Sequence, residues 1–231
     1  MGAARVNPID WKTRRGDLKA MVPVQFPAIP GRDFAGEVVE VGPGVSNFKP
    51  GQKVMGVENQ TYAEYVSVPS ANVTAIPDGL GLEEAGALPL VATTGSELID
   101  RIAPKRGATV VVTGALGSVG RAAVYAAKQR GARVIAGVRE SQKKAAESLG
   151  ADQVVAIDKD PEIALLPELD AIADTVSGDV IGKLIPKLKH GVVLGSVLGK
   201  PKAAEGKDIR VEAIVAQPNP QNLSKFAEAA R

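Results

Sequence analysis

Two hydrophobic periods divide the chain. Residues 34–42, FAGEVVEVG, alternate apolar and polar side chains and are rich in valine, the pattern of a half-buried strand. GPGVSNFKPGQKVMG follows, with glycine and proline punctuation around a second short strand. TYAEYVSVP predicts a third, with Tyr65, Ser67 and Pro69 on one face and Val66 and Val68 on the other. Short strands cut by turns predict a small barrel or sandwich over residues 1–85.

From about residue 82 the period lengthens. LEEAGALPLVATTGSELIDRI reads as helix interrupted at Pro89. Beyond it, apolar strands at 109–113, 133–138, 153–157, 170–175, 192–195 and 209–215 alternate with helical stretches near 118–129, 142–149, 180–188 and 221–230. Apolar strands separated by helices predict a parallel sheet covered on both faces. Six of them fit a doubly wound Rossmann sheet over residues 86–231. The expected fold class is α/β, a Rossmann domain preceded by a smaller β domain.

TGALGSVG, at 113–120, joins the first of those strands to its helix. A helix N-terminus presents unpaired N–H groups and about half a positive charge, which suits a pyrophosphate. Gly117 leaves room for that group to approach the backbone, and Gly120 lets the helix pack closely on the strand. Leu116, Gly117, Ser118 and Val119 are the candidate contacts, with a ligand-free strand-to-helix turn as the alternative. Ala115 takes the place of the first glycine of G-x-G-x-x-G and is tolerated there if its φ is negative. Cofactor choice is read at the end of the next strand, where an acidic residue would bond the ribose hydroxyls of NAD. Here Arg139 follows ARVIAGV, with Ser141 and Lys143 just beyond, and a guanidinium pairs with a 2′-phosphate. The expected cofactor is NADP(H). Glu140 bonding a ribose, or an ordinary charged helix start, are the other readings of this stretch.

Composition narrows the chemistry. The 231 residues include no cysteine and one histidine, His190. Disulfides, thiolate metal sites and a histidine-based zinc site are excluded, so no metal residues are expected. His190 reads as a cation at a helix end. Lys and Arg total 28 against 26 Asp and Glu, a net charge of +2 that favours neither nucleic acid nor membrane as a partner. MGAARVNPIDWK lacks the apolar core of a signal peptide, and no apolar run approaches the ~18 residues of a membrane span. A soluble, cytoplasmic protein is expected.

VNPIDWKTRRGD, FPAIPGRDFAGEVVEVGPGVSNFKPGQKVMG, YAEYVSVP, ALPLVATTG, VVVTGALGSVGRAAVYAAKQRGARVIAGV, ESLGAD and DTVSG occur in this order and cover most of the chain. Together they resemble the zinc-independent quinone oxidoreductase branch of the medium-chain dehydrogenase/reductase superfamily. The resemblance implies a GroES-like substrate domain before the Rossmann domain, with the active site in the cleft between them. It implies NADPH-dependent reduction of a quinone or another α,β-unsaturated carbonyl by hydride transfer. It also implies that Asn7, of an NP(I/V)D segment, and Thr94, of an LPL…T segment, reach the nicotinamide end and are the catalytic candidates. Thr94, Val176, Gly195 and Ser196 then join the cofactor-binding set, the last three at the ends of the fourth and fifth strands. A homodimer through the last Rossmann strands is implied as well.

The departures from the family pattern are specific. GRD at 31–33 stands where zinc-dependent relatives carry GHE, so Arg32 replaces a metal histidine. Several relatives place a tyrosine shortly after the NP segment; here Trp11, Lys12 and Thr13 stand there, and no proton donor is identified. Relatives have further chain before NPID and after the last helix, so the GroES-like barrel is expected to be incomplete. A truncated, non-catalytic NADP(H)-binding or structural relative is the alternative function.

Overall fold

The last helix folds with the start of the chain. In the computed structural model, which describes residues 1–21 and 23–231, two compact units form, Met1–Thr93 with Gln217–Arg231, and Thr94–Ala216. The elements of the first stretch are α1 (Pro8–Arg15), β1 (Asp33–Glu37), β2 (Lys53–Val57), β3 (Val73–Ala75), α2 (Leu82–Gly86) and α3 (Pro89–Ile102), whose last turns belong to the second unit. The second unit continues with β4 (Thr109–Thr113), α4 (Ser118–Gln129), β5 (Arg133–Val138), α5 (Lys143–Ala146), β6 (Gln153–Ala156) and α6 (Asp160–Ala164). It closes with β7 (Leu169–Asp174), α7 (Asp179–Leu184), β8 (Leu188–Ser196) and β9 (Arg210–Ala213), before α8 (Pro220–Ala230) returns to the first unit.

In the first unit β1, β2 and β3 form an antiparallel meander, and Ala3 bridges to Ala35. Its core joins Ala35, Met55, Leu80, Ala85 and Ala92 to Leu223 and Ala227 of α8. Leu223 and Ala227 are four residues apart and share one helix face. Asn219 starts that helix by accepting the Asn222 N–H at 3.0 Å, with Pro220 in the first turn. The compact units divide at 93/94, with α8 in the first through its face against Met55 and Leu80, where the sequence expectation divides at 85/86 with the last helix on the Rossmann side.

Two strand expectations also change. FAGEVVEVG pairs as a strand only over β1. TYAEYVSVP forms no strand, and the third strand is β3, after a short 3-10 turn at Ser70–Asn72. Tyr62 N–H donates to Pro30 O at 3.0 Å, so that stretch runs beside the loop before β1 instead of joining the ladder. Alternation alone could not distinguish these outcomes.

The second unit follows its expectation closely. Six parallel strands take the order β6-β5-β4-β7-β8-β9, the 3-2-1-4-5-6 sequence of a doubly wound sheet. Val111, Ile135, Val155, Ile172 and Leu194 pack with Ile163, Ile181 and Leu184 of α6 and α7. Alternate positions, Val110, Val112, Val134 and Ala136, are buried on the opposite face. There α4 buries a stripe of small residues, Gly120, Ala122, Ala123, Ala126 and Ala127. On α3, a Cβ on Gly95 would stand 2.6 Å from Ala122 Cβ, so the two helices approach at glycine distance. His190 lies exposed within β8, not at a helix end. Among the described residues no helix is long and apolar enough to cross a membrane.

Candidate functional site

The chain leaves β4 toward β5 and β6 on one side and places β7, β8 and β9 on the other. The point where strand order reverses is thus between β4 and β7, and ligands of such sheets bind outside the strand C-termini there. TGALGSVG begins at that point. Gly114 turns the chain with φ +61°, and a Cβ on it would stand 2.5 Å from Val176 Cγ1 and 2.7 Å from Thr175 Oγ1. Ala115 has no positive φ and is buried. The turn glycine is therefore Gly114, one residue before the expected position.

Gly117 and Ser118 are exposed at the start of α4, and Leu116 and Val119 are half-buried. Gly117 N–H donates to Gly114 O at 2.8 Å, and Gly117 O accepts from Arg121 N–H at 2.8 Å, opening a helix of 12 residues. The N–H groups at the start of that helix and a Cβ-free surface at Gly117 form a cradle that fits a pyrophosphate. Val176, 46% exposed, lies against the loop through Gly114. Gly195 is buried, with its α-carbon facing Leu98 and Ile102 of α3. Thr94 is half-buried on α3.

Beneath the loop is a carboxylate that the sequence did not single out. Asp174, at the end of β7, is fully buried. Its Oδ1 accepts from Thr113 Oγ1 at 2.9 Å, Val176 N–H at 3.1 Å and Ser177 N–H at 2.8 Å. Its Oδ2 accepts from Ser196 Oγ at 2.8 Å. Ser196 Oγ in turn accepts the Leu198 N–H at 3.2 Å. One carboxylate thus ties the ends of β4, β7 and β8 together. Its only sequence signal was the DTVSG stretch, from which the resemblance singled out Val176.

At the end of β5, Arg139 is exposed, and its guanidinium has no partner among the described contacts. The Arg139 main-chain N–H donates to Gln142 Oε1 at 3.2 Å, opening a 3-10 turn at Glu140–Gln142. Ser141 is exposed on that turn. Lys143 is already engaged, its Nζ 2.7 Å from Glu162 Oε1. That ion pair holds Lys143 above and Glu162 below their ordinary pKa values. The Glu140 N–H donates to Asp158 at 2.8 Å.

The first unit carries a separate polar cluster around Asn7, the residue that precedes α1. Asn7 N–H donates to Asp10 Oδ2 at 2.7 Å, and Asp10 N–H donates to Asn7 O at 3.0 Å. The Tyr62 hydroxyl lies 2.9 Å from Asp10 Oδ2 and 3.1 Å from Arg5 O. Burial and the bond to Asp10 push its pKa up, which makes Tyr62 a brace and a poor acid. Asn7 itself is only 2% exposed. Its Nδ2 donates to Asp33 Oδ2 at 2.5 Å, and Asp33 Oδ1 accepts the Leu90 N–H at 2.5 Å. Asp33 is the last residue of GRD and a member of the cluster that sequence reasoning missed.

Burial raises the Asp33 pKa from 3.8 to about 6, against the lowering pull of Asn7, Leu90 and Arg5. A carboxyl whose folded pKa is raised stabilises the fold fully below 3.8, and that contribution is lost as pH rises through about 6. The difference is worth ~3 kcal/mol. Stability of the wild type relative to Asp33→Asn should therefore fall by up to that amount between about pH 4 and pH 7.5. Urea denaturation of both proteins at the two pH values checks it, and a constant difference would reject it.

Residues 1–78 match the family described as the alcohol dehydrogenase GroES-like domain. The chain is 34% identical over 216 residues to a chloroplast envelope quinone oxidoreductase homolog of Arabidopsis thaliana, covering 87% of this chain and 65% of that protein. It is 32% identical over 212 residues to a 2-methylene-furan-3-one reductase of Solanum lycopersicum, covering 86% and 54% respectively. The chain thus spans less than two-thirds of the length of these relatives. Among solved structures, the quinone oxidoreductase from Coxiella burnetii superposes with a TM-score of 0.82 at 30% identity, covering 98% of this chain and 76% of that one.

Proposed function

We propose, from the premise that the chain belongs to the medium-chain dehydrogenase/reductase superfamily, that it reduces quinones or other α,β-unsaturated carbonyls with NADPH and without zinc. The observation that carries the reading is the glycine loop at the strand-order reversal with the exposed Arg139 at the end of the next strand. The names of the relatives, quinone oxidoreductase and furanone reductase, support the substrate class. The absence of cysteine and the single histidine support a reaction that uses no zinc. The nicotinamide supplies the hydride when bound. The chain's own share is to seat the pyrophosphate on Leu116–Val119, to pair Arg139 with the 2′-phosphate, and to order Asn7 and Thr94 for the reacting end. A dimer formed along the β9 edge belongs to the same reading, and a one-chain mass in sedimentation would remove it.

The test is NADPH oxidation followed at 340 nm with a panel of quinones and enones. No absorbance loss with any of them overturns the reading. Arg139→Ala should weaken NADPH about 10–100-fold and NADH hardly at all, since a charge-assisted hydrogen bond contributes roughly 1.5–3 kcal/mol. Calorimetric titration measures both, and an unchanged NADPH/NADH ratio sinks the phosphate assignment. Binding without turnover of any acceptor would leave a dinucleotide-binding protein.

A further inference from the structure

The Asn7 carboxamide has two chemically opposite ends. Its nitrogen only donates and its oxygen only accepts. Which end is offered to a ligand depends on which end the protein already holds. The structure holds the nitrogen, because Asp33 Oδ2 stands 2.5 Å from Asn7 Nδ2. An ionised carboxylate is acceptor-only, so Asn7 must turn its NH2 to it. The other Asp33 oxygen accepts the Leu90 N–H, a second bond that holds the carboxylate in place beside Asn7. The second grip, Asp10 on the Asn7 N–H with Tyr62 bracing Asp10, fixes the main chain and leaves only the carboxamide torsion to be decided.

We propose that Asp33 is a positioning residue that sets the orientation of the Asn7 carboxamide, so that Asn7 offers an acceptor oxygen and not a donor to whatever it contacts. The proposal rests on the functional reading above for its consequence. A group held by that oxygen must itself donate. The carboxamide NH2 that a nicotinamide carries is such a donor, whereas the carbonyl of a quinone or enone is not. Asn7 therefore orients the cofactor and does not polarise the substrate.

Protonation of Asp33 reverses the constraint. A carboxylic acid at Oδ2 can donate to Asn7 Oδ1 while Oδ1 of Asp33 keeps the Leu90 N–H, and Asn7 is then free to turn over. The charged and titratable groups around Asp33 are Arg5, which favours the carboxylate, Asp10, which disfavours it, and Tyr62, itself disfavoured as an anion by both carboxylates. Burial puts this protonation near pH 6. Asp33→Asn imitates the protonated state. Its oxygen would take the Leu90 N–H, its NH2 would face Asn7, and two facing NH2 groups force Asn7 to present its oxygen inward.

The Asn7 side-chain NH2 resonances of the 15N-labelled chain, followed from pH 4.5 to 8 without cofactor, test the assignment. The wild type should titrate with a midpoint near pH 6. Asp33→Asn should show no midpoint in that range and resemble the wild type at low pH. A pH-invariant wild-type signal, or a midpoint that persists in Asp33→Asn, overturns the proposal. In turnover at pH 7.5, Asp33→Asn should lower kcat about 10–100-fold while NADPH KM changes far less and the melting temperature does not fall. A reoriented Asn7 with unchanged kcat would overturn the positioning role. A wild type inactive on every quinone and enone would remove the functional reading while the resonance titration still decides the orientation.

Discussion

Gly120→Val should destabilise the Thr94–Ala216 unit by about 3 kcal/mol and abolish dinucleotide binding. A Cβ at this position would stand 2.2 Å from Gly114 O, 2.8 Å from Gly114 C and 2.8 Å from Ala115 Cα. All three are backbone atoms of the turn, so no rotamer change relieves the overlap. Gly120 has no positive φ, so its conformation is open to any residue and space alone decides. The start of α4 must then lift away from the end of β4, opening the interior where Ala123 and Val124 are buried. Gly117→Ala separates packing from binding. There a Cβ meets only Gly114 O, at 3.1 Å, so the fold should lose under about 1 kcal/mol. The methyl group would instead intrude where a pyrophosphate approaches. Urea denaturation and NADPH calorimetry distinguish the two. A Gly120→Val protein with wild-type stability and affinity would contradict the packing argument, and a Gly117→Ala protein with full affinity would contradict the cradle.

How much of this could be read from the chain depends on the range of the forces involved. Strands β4 and β5 were legible because a strand buried on both faces is apolar along its middle, as residues 110–112 and 134–138 are, and that signal is local. TGALGSVG was legible for the same reason, since strand, turn and helix are contiguous. The place of α8 was not, because its apolar face, Leu223 and Ala227, would suit any core, and only the fold shows that Met55 and Leu80 take it. The engagement of Lys143 was hidden because its partner Glu162 is 19 residues away. Asp33 and Asp174 were passed over because a carboxylate in sequence looks the same whether solvated or buried. What distinguishes them is a set of donors from distant segments, Leu90 at 57 residues from Asp33 and Thr113 at 61 from Asp174.

Asp174→Ala should be the more costly loss, about 4 kcal/mol, because it removes one acceptor group from four donors at once. The Thr113 and Ser196 hydroxyls can rotate toward other acceptors, but the Val176 and Ser177 N–H groups are fixed by the chain. Those two N–H bonds also hold Ser177 at φ 57° before Gly178 at φ 79°. A non-glycine residue in that region costs roughly 1–2 kcal/mol, so without Asp174 the turn relaxes toward an ordinary conformation. Val176 then leaves its place against Gly114, and the floor of the phosphate loop goes with it. Asp174→Asn should be far milder, about 1–1.5 kcal/mol. Its oxygen can keep the three donors at Oδ1, and its NH2 can donate to Ser196 Oγ, whose hydroxyl turns elsewhere. Equal losses in the two variants would mean that negative charge, not acceptor number, is what the strand ends require. Denaturation measures the two costs, and amide exchange at Val176 and Ser177 should rise in Asp174→Ala alone. Exchange unchanged there would break the link between this buried carboxylate and the loop above it. The link matters for function because β4, β7 and β8 reach it from both sides of the strand-order reversal, so the same four hydrogen bonds that stabilise the sheet also fix the shape of its binding edge.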